Sequence, residues 1–215
     1  MSKKGELFEL LSEASASSAE EYLDHKFNPD TITTDEGEET KLYHAYMPTE
    51  VDEYEEYYDI VKLLRSNCTS GNFIKLYVAG WGGCTMLGTS LINAINASPA
   101  QIQTIVTGDV YSMHTVIALS QAKNLIIEPG VQFMFHESQL GVVGGVSNNL
   151  RDLLAAKNSD RMMNKHVKPY LTQKEFDEMN NGLNIYITGT EMKKRIDAKL
   201  QFKTKRTKKT KVDNV

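Results

Sequence analysis

The sequence predicts an α/β fold on three observations. Ile74-Lys75-Leu76-Tyr77-Val78-Ala79 is an apolar run that ends in Gly80-Trp81-Gly82-Gly83, and a segment with Leu87, Leu91, Ile92 and Ile95 on one helical face follows it. Ile102 to Val106 is a second apolar run, after which Gly108 permits a bend and Ser112 opens a helix through Met113, Val116, Ile117 and Leu119. A third, Val131-Gln132-Phe133-Met134-Phe135, follows the turn Glu128-Pro129-Gly130 and ends in His136.

Each strand end carries a group with chemistry of its own. Two glycines at a strand-to-helix corner expose backbone N–H donors, which the positive end of the helix dipole reinforces as an anion-binding site. Ser112 places a hydroxyl at a helix start, where serine commonly serves as an N-cap. His136 adds a side chain that can accept and return a proton near neutral pH. Singly, a turn, a cap and a rim histidine account for the three. Together they suit acyl-transfer chemistry.

The order and wording of these segments resemble the proteolytic subunit of the Clp protease, a serine peptidase family, over about Tyr43 to Leu200. LYVAGWGGCTMLG fills the place of the family's Gly-Gly loop. TIVTGDVYSMHT supplies Thr104, Gly108, Ser112 and Met113 of its serine motif, and PGVQFMFH matches its histidine motif from Pro129 to His136. The resemblance implies a ClpP/crotonase-like fold of repeated β-β-α units with a protruding strand-helix handle. It also implies a serine endopeptidase, homo-oligomeric in stacked heptameric rings. Such a ring takes unfolded polypeptide from a separate AAA+ unfoldase.

By the resemblance, Ser112 attacks the scissile carbonyl and His136 takes and returns its proton. The N–H groups of Gly83, or else Gly82, and of Met113 hold the oxyanion. The third triad position, an aspartate in the family, falls on Asn184 in Asn184-Ile185-Tyr186. An amide can orient the ring but cannot stabilise the imidazolium, and loss of the carboxylate can cost on the order of 10⁴ in rate where the wrong tautomer results. Asp177, Glu178 and Glu137 are carboxylates away from the matching position. Trp81, Tyr111, His114 and Glu137 depart from the family pattern around the site, and Val110 stands where it prefers a small residue. Those first four are expected to line the substrate groove.

Composition bounds the rest. A chain of 215 residues with 40% hydrophobic and 24% charged content is expected to form one domain with a sizeable core plus extensions. No apolar run approaches the roughly 20 residues that cross a bilayer. MSKKGELFELL lacks a cleavage signal, so a cytoplasmic protein is expected. Cys68 and Cys84 specify no disulfide framework or zinc site, and the five histidines show no metal spacing. No phosphate-binding or dinucleotide fingerprint occurs, so no cofactor is expected and ATP dependence falls to another chain.

The expected organisation is an extension over 1–40, a peptidase domain over 41–200 and a basic tail over 201–215. The extension comprises a helix from Gly5 to about Tyr22 and a polar linker, KFNPDTITTDEGEET, and serves as a propeptide or a pore segment. A strand over Lys41–Met47 precedes a helix with Tyr54, Tyr57, Tyr58, Val61 and Leu64 on its apolar side, whose rings either pack or line a docking cleft. The handle spans about 140–171, from the glycine-rich LGVVGGV into a helix carrying Leu150, Leu153, Leu154, Met162, Met163 and Val167 in an uneven stripe. The tail reads as a disordered solvated segment, with nucleic acid or an acidic partner as the lesser alternative.

Two other functions compete with the peptidase. Asn184, Tyr111 and His114 motivate a catalytically weak or silent ring or scaffold subunit. A crotonase-type enzyme acting on acyl-CoA would use the same paired N–H groups, but no pair of acids replaces Ser112 and His136. The divergent surroundings of the site suit an accessory or phage-type member.

Overall fold

A parallel sheet core with antiparallel margins organises the computed structural model, which describes residues 21–52, 54–66, 71–138 and 146–212. In chain order the described elements are helix α1 (residues 21–27), β1 (Asp30–Thr33), β2 (Glu39–Tyr46), β3 (Glu50–Val51), α2 (Tyr54–Ser66), β4 (Phe73–Gly80), β5 (Gly82–Gly83), α3 (Thr85–Ala97), β6 (Gln101–Tyr111) and α4 (Met113–Ser120). They continue with β7 (Leu125–Ile127), β8 (Gln132–Phe135), α5 (Val146–Val167), α6 (Gln173–Asn180), β9 (Ile185–Thr188) and α7 (Gly189–Val212). The main sheet runs β1-β2-β4-β6-β8-β9, with β7 also on β6. β2, β4, β6, β7 and β8 pair in parallel, whereas β1 and β9 pair antiparallel at the margins. The expected mixture of strands and crossover helices is what the chain forms.

β4 shows why the strands sit where they do. Ile74, Leu76 and Val78 are buried and alternate with half-buried Lys75, Tyr77 and Ala79, the period of two that a strand imposes. α2 and α3 pack together over the buried side, contributing Tyr57, Val61 and Leu64 from one and Leu91, Ile92 and Ile95 from the other. α4 is buried along Met113–Leu119, so it is a core helix with no solvated face. On the other side of the sheet, Tyr77 stacks on Tyr46 with ring centroids 4.5 Å apart, and its hydroxyl lies 2.8 Å from His44 Nδ1.

Four segments differ from the sequence reading. The polar stretch 26–40 holds the end of α1 and then a hairpin, because β1 pairs residue by residue with Glu39–Leu42 around a turn at Gly37. The second apolar run does not stop at Gly108: β6 continues to Tyr111, held by β4 and then by β8, and the register on β4 shifts between Val78 and Gly80. The basic tail continues α7 as far as Val212. Lysine and arginine are good helix formers and favour a helix C-terminus. Between the expected first strand and its helix lies β3, which pairs with β5. The helix expected from Gly5 to about Tyr22 and the glycine-rich start of the handle lie mostly outside the described residues, and Cys68 lies outside them as well. α5 and the short 3₁₀ turn Lys168–Tyr170 occupy the expected handle helix.

One side-chain clasp ties the C-terminal elements together. Arg195 on α7 donates to both carboxylate oxygens of Glu175 on α6 (2.8 and 3.0 Å), to Glu191 (2.9 Å) and to the Tyr170 carbonyl (3.0 Å). Glu175 also closes a capping box with Thr172 at the start of α6.

Candidate active site

Ser112 and His136 meet because their strands are neighbours. β6 and β8 pair in parallel at Val110–Phe133 and Tyr111–Met134, so the residue after β6 and the residue after β8 leave one sheet edge side by side. The Ser112 N–H donates to the Met134 carbonyl at 3.0 Å, pinning the corner to β8 two residues before His136. The Thr115 hydroxyl bridges the Val110 and Met134 carbonyls at 2.7 and 3.0 Å and braces the first turn of α4. The outcome is a separation of 2.6 Å between Ser112 Oγ and His136 Nε2, the distance of a nucleophile–base pair.

The backbone at Ser112 is strained. Its φ of 54° and ψ of −121° lie where a side chain normally costs of order 1–3 kcal/mol. Nor does the hydroxyl cap α4, since it accepts no bond from the helix N-terminus. A strand, a sharp corner and a helix with the serine at positive φ present the hydroxyl at the top of a sheet.

Gly82 makes the corner fit. At its φ of 113°, a Cβ would stand 2.5 Å from Ser112 Cβ and 3.0 Å from the Met113 nitrogen. Its N–H points inward and donates to His114 Nδ1 at 2.9 Å. Nδ1 must therefore accept, which leaves the proton on Nε2 to be donated to the Pro48 carbonyl at 2.9 Å. Burial pushes the His114 pKa down, against the pull of the Pro48 carbonyl. Protonation at Nδ1 would break the bond from Gly82.

A cavity of about 820 Å³ opens at this corner. Ser112, His136, Trp81, Gly83 and Cys84 line it on the sheet side, over an apolar floor that includes Met113, Val116 and Phe135. Helix α5 supplies a further wall with Ser159, Asp160, Met163, Asn164 and Val167. Burial pushes the His136 pKa below its ordinary value, while the Asp160 carboxylate pulls it back up. Among the described residues no cluster of His, Cys, Asp and Glu could hold a metal ion.

The residues singled out in the sequence scatter around this corner. Ser112, Met113, His136, Gly83 and Trp81 line the cavity; Gly82 lies beneath the serine with its N–H given to His114. His114 is fully buried and supports the corner from below, outside the groove. Tyr111 packs edge-on against exposed Trp81 (centroids 5.2 Å apart) and against Tyr186 (6.2 Å). Glu137 is exposed and does not line the cavity. Asn184 is exposed and makes no side-chain hydrogen bond to His136. Sequence reasoning missed Asp52 and Asp160, which line the cavity from a loop after β3 and from α5. Only three-dimensional packing brings them in.

Comparison with known proteins gives the same direction. The family profile described as Clp protease matches residues 46–181, more than half of the chain. A protein of Streptococcus suis named ATP-dependent Clp protease proteolytic subunit is 34% identical over 96 residues, covering 44% of this chain and 48% of that protein. One of the same name from Streptococcus pneumoniae (strain Hungary19A-6) is 33% identical over 107 residues, 43% of this chain and 55% of the relative. The chain thus spans about half the length of the curated relatives it matches. Because the matched span contains both β6 and β8 and the corner they form, the chain belongs to the Clp protease family.

Proposed function

We propose that the chain is a serine-type endopeptidase subunit acting on unfolded polypeptide inside a ring-shaped oligomer, fed by a separate ATP-dependent unfoldase. The 2.6 Å contact between Ser112 Oγ and His136 Nε2, at a strained strand-to-helix corner, is the observation that carries the reading. Ser112 Oγ bonds to the scissile carbonyl carbon while its proton passes to His136 Nε2. The carbonyl electrons move onto oxygen, held by the N–H groups of Gly83 and Met113. Collapse breaks the C–N bond, and the departing amine takes the proton from His136. Water, deprotonated by the same nitrogen, then releases the acyl group and restores Ser112. Oligomer and unfoldase enter by analogy with the relatives, whose names include ATP dependence.

A slower enzyme, or a silent scaffold subunit, is the second reading. It is favoured by Asn184, which is exposed and leaves His136 without its hydrogen bond. A serine-reactive phosphonate separates the two: it labels the native chain and not Ser112→Ala if the peptidase reading holds. Equal labelling of both proteins, or of neither, removes Ser112 from the chemistry.

A further inference from the structure

His136 carries its catalytic burden without the partner its family position would supply. Its Nε2 faces Ser112, its Nδ1 has no hydrogen-bond partner among the described residues, and Asn184 is exposed. A general base that becomes an imidazolium in a half-buried site needs negative charge nearby, because burial penalises the charged ring. The surrounding ionisable groups are few. Asp160 on α5, Asp52 after β3 and Cys84 ahead of α3 line the cavity. Glu137 is next in the chain and exposed, and Tyr111 and Tyr186 lie on neighbouring strands.

Placement around the cavity and charge together select one of these. Asp52 belongs to the Gly83 side, where a Cβ on Gly83 would stand 2.6 Å from its Oδ1. Asp160 is half-buried on the wall that α5 supplies to the same cavity that Ser112 and His136 line, and its negative charge pulls the His136 pKa up against burial. No direct hydrogen bond joins the two, so the action is through the field across the cavity.

We propose that Asp160, on helix α5, is the positioning carboxylate of this site, supplying His136 with the negative charge that Asn184 cannot. The inference rests on the peptidase reading for its catalytic meaning. The charge contributes when the Ser112 proton arrives on His136 and contributes little before, so it lowers the barrier and leaves ground-state binding nearly alone. The two functions of the usual third residue are then split. Packing and the bond to Ser112 hold the ring, while charge comes from an element outside the sheet.

The test uses the full chain and follows two readouts. In the first, the rate of phosphonate labelling at Ser112 is measured against pH for the native chain, Asp160→Asn, Asp160→Glu, Asn184→Asp and the Asp160→Asn/Asn184→Asp double variant. Asp160→Asn is expected to lower the plateau about threefold and to shift the acid limb down by about half a pH unit. Asp160→Glu keeps most of the rate, and the double variant regains part of the loss. In the second, the His136 imidazole is titrated by NMR, and its pKa falls in Asp160→Asn and in the native chain at high salt. An unmoved His136 titration in both overturns the inference. So does a peptide-hydrolysis defect confined to KM with the acid limb unchanged, which would make Asp160 a contact for a basic substrate side chain. Failure of every variant to label at Ser112 sinks the peptidase reading instead, while the titration still decides the link to Asp160. Should Asp160→Asn not fold, the salt dependence of the native titration decides.

Discussion

The Gly82 N–H donates to His114 Nδ1 at 2.9 Å, so the ring that holds the Gly-Gly corner is a residue of the helix that Ser112 begins. That bond turns one backbone donor into the protein and presses Gly82 against the serine. Replacing His114 with phenylalanine keeps an aromatic ring and removes both the acceptor for Gly82 and the donor to Pro48. One buried and one part-buried backbone group are then left unpaired, at about 2 kcal/mol of stability. Phosphonate labelling is expected to fall at least tenfold, and His114→Gln, which can accept and donate, should recover part of it. Retained labelling in His114→Phe would show that the corner stands without this strut.

Gly82→Ala tests the same corner from the other side. The added methyl meets Ser112 Cβ and the Met113 backbone nitrogen, neither of which can yield without moving the start of α4. The variant is expected to fold with reduced stability and to lose phosphonate labelling nearly completely, measured by gel fluorescence beside a thermal melt. Normal labelling would mean that the corner relaxes freely.

Burial lowers the pKa of His136, so the base stays neutral at pH values where an ordinary imidazole is charged. The rate of labelling should therefore rise with pH along a limb whose midpoint lies below about 6.5. Stability follows with its own sign. Burial also lowers the pKa of His114 and His166, so the unfolded chain binds protons that the folded chain refuses. Stability is full above the ordinary imidazole range and declines as pH falls through about 6.5 toward the folded values. A denaturation midpoint that rises on acidification from pH 7 to 5 would contradict this.

The Arg195 clasp makes a separate acid transition. Arg195 hydrogen bonds hold the Glu175 carboxyl at about 2 against an ordinary 4.5, so its contribution is present above pH 4.5 and is lost as pH falls toward 2. Arg195→Ala leaves a half-buried carboxylate without its partner and is expected to cost about 3 kcal/mol. Arg195→Lys, lacking the fork, should recover less than half. Urea denaturation at pH 7 and pH 3 measures both, and the Arg195→Ala deficit should shrink at the lower pH.

Tyr57 offers the opposite sign. Its hydroxyl is buried without a hydrogen-bond partner among the described residues, and burial pushes its pKa up to about 12. Tyr57→Phe removes an unsatisfied polar atom and is expected to raise stability by about 1 kcal/mol. Destabilisation in the same urea measurement would reveal a partner for the oxygen.

Where chemistry is local, sequence and structure agree, and where it depends on packing they part. The strands leading to Gly82, Ser112 and His136 announce themselves because apolar runs end abruptly in turn residues and polar groups. The β1–β2 hairpin is hidden by its polarity: Asp30–Thr33 is an exposed margin strand, with one side on β2 and little apolar content to betray it. Gly108 reads as a breaker, yet pairing with β4 and β8 carries β6 past it. Asp52 and Asp160 lie far from His136 in sequence, and no spacing rule relates a base to the walls of its cavity. Only the approach of α5 gives Asp160 a role.

Pairing of β6 with β8 has one last implication for how this molecule can fail. Side chains on a strand alternate between faces, so sliding β8 by a single residue would point His136 away from the hydroxyl and bring its neighbour forward. No intermediate position on that ladder exists. Competence in this chain is accordingly a switch thrown when two strands lock, and an ensemble sample of partly assembled protein should contain fully able and wholly inert molecules in varying proportion, with no half-speed species between them.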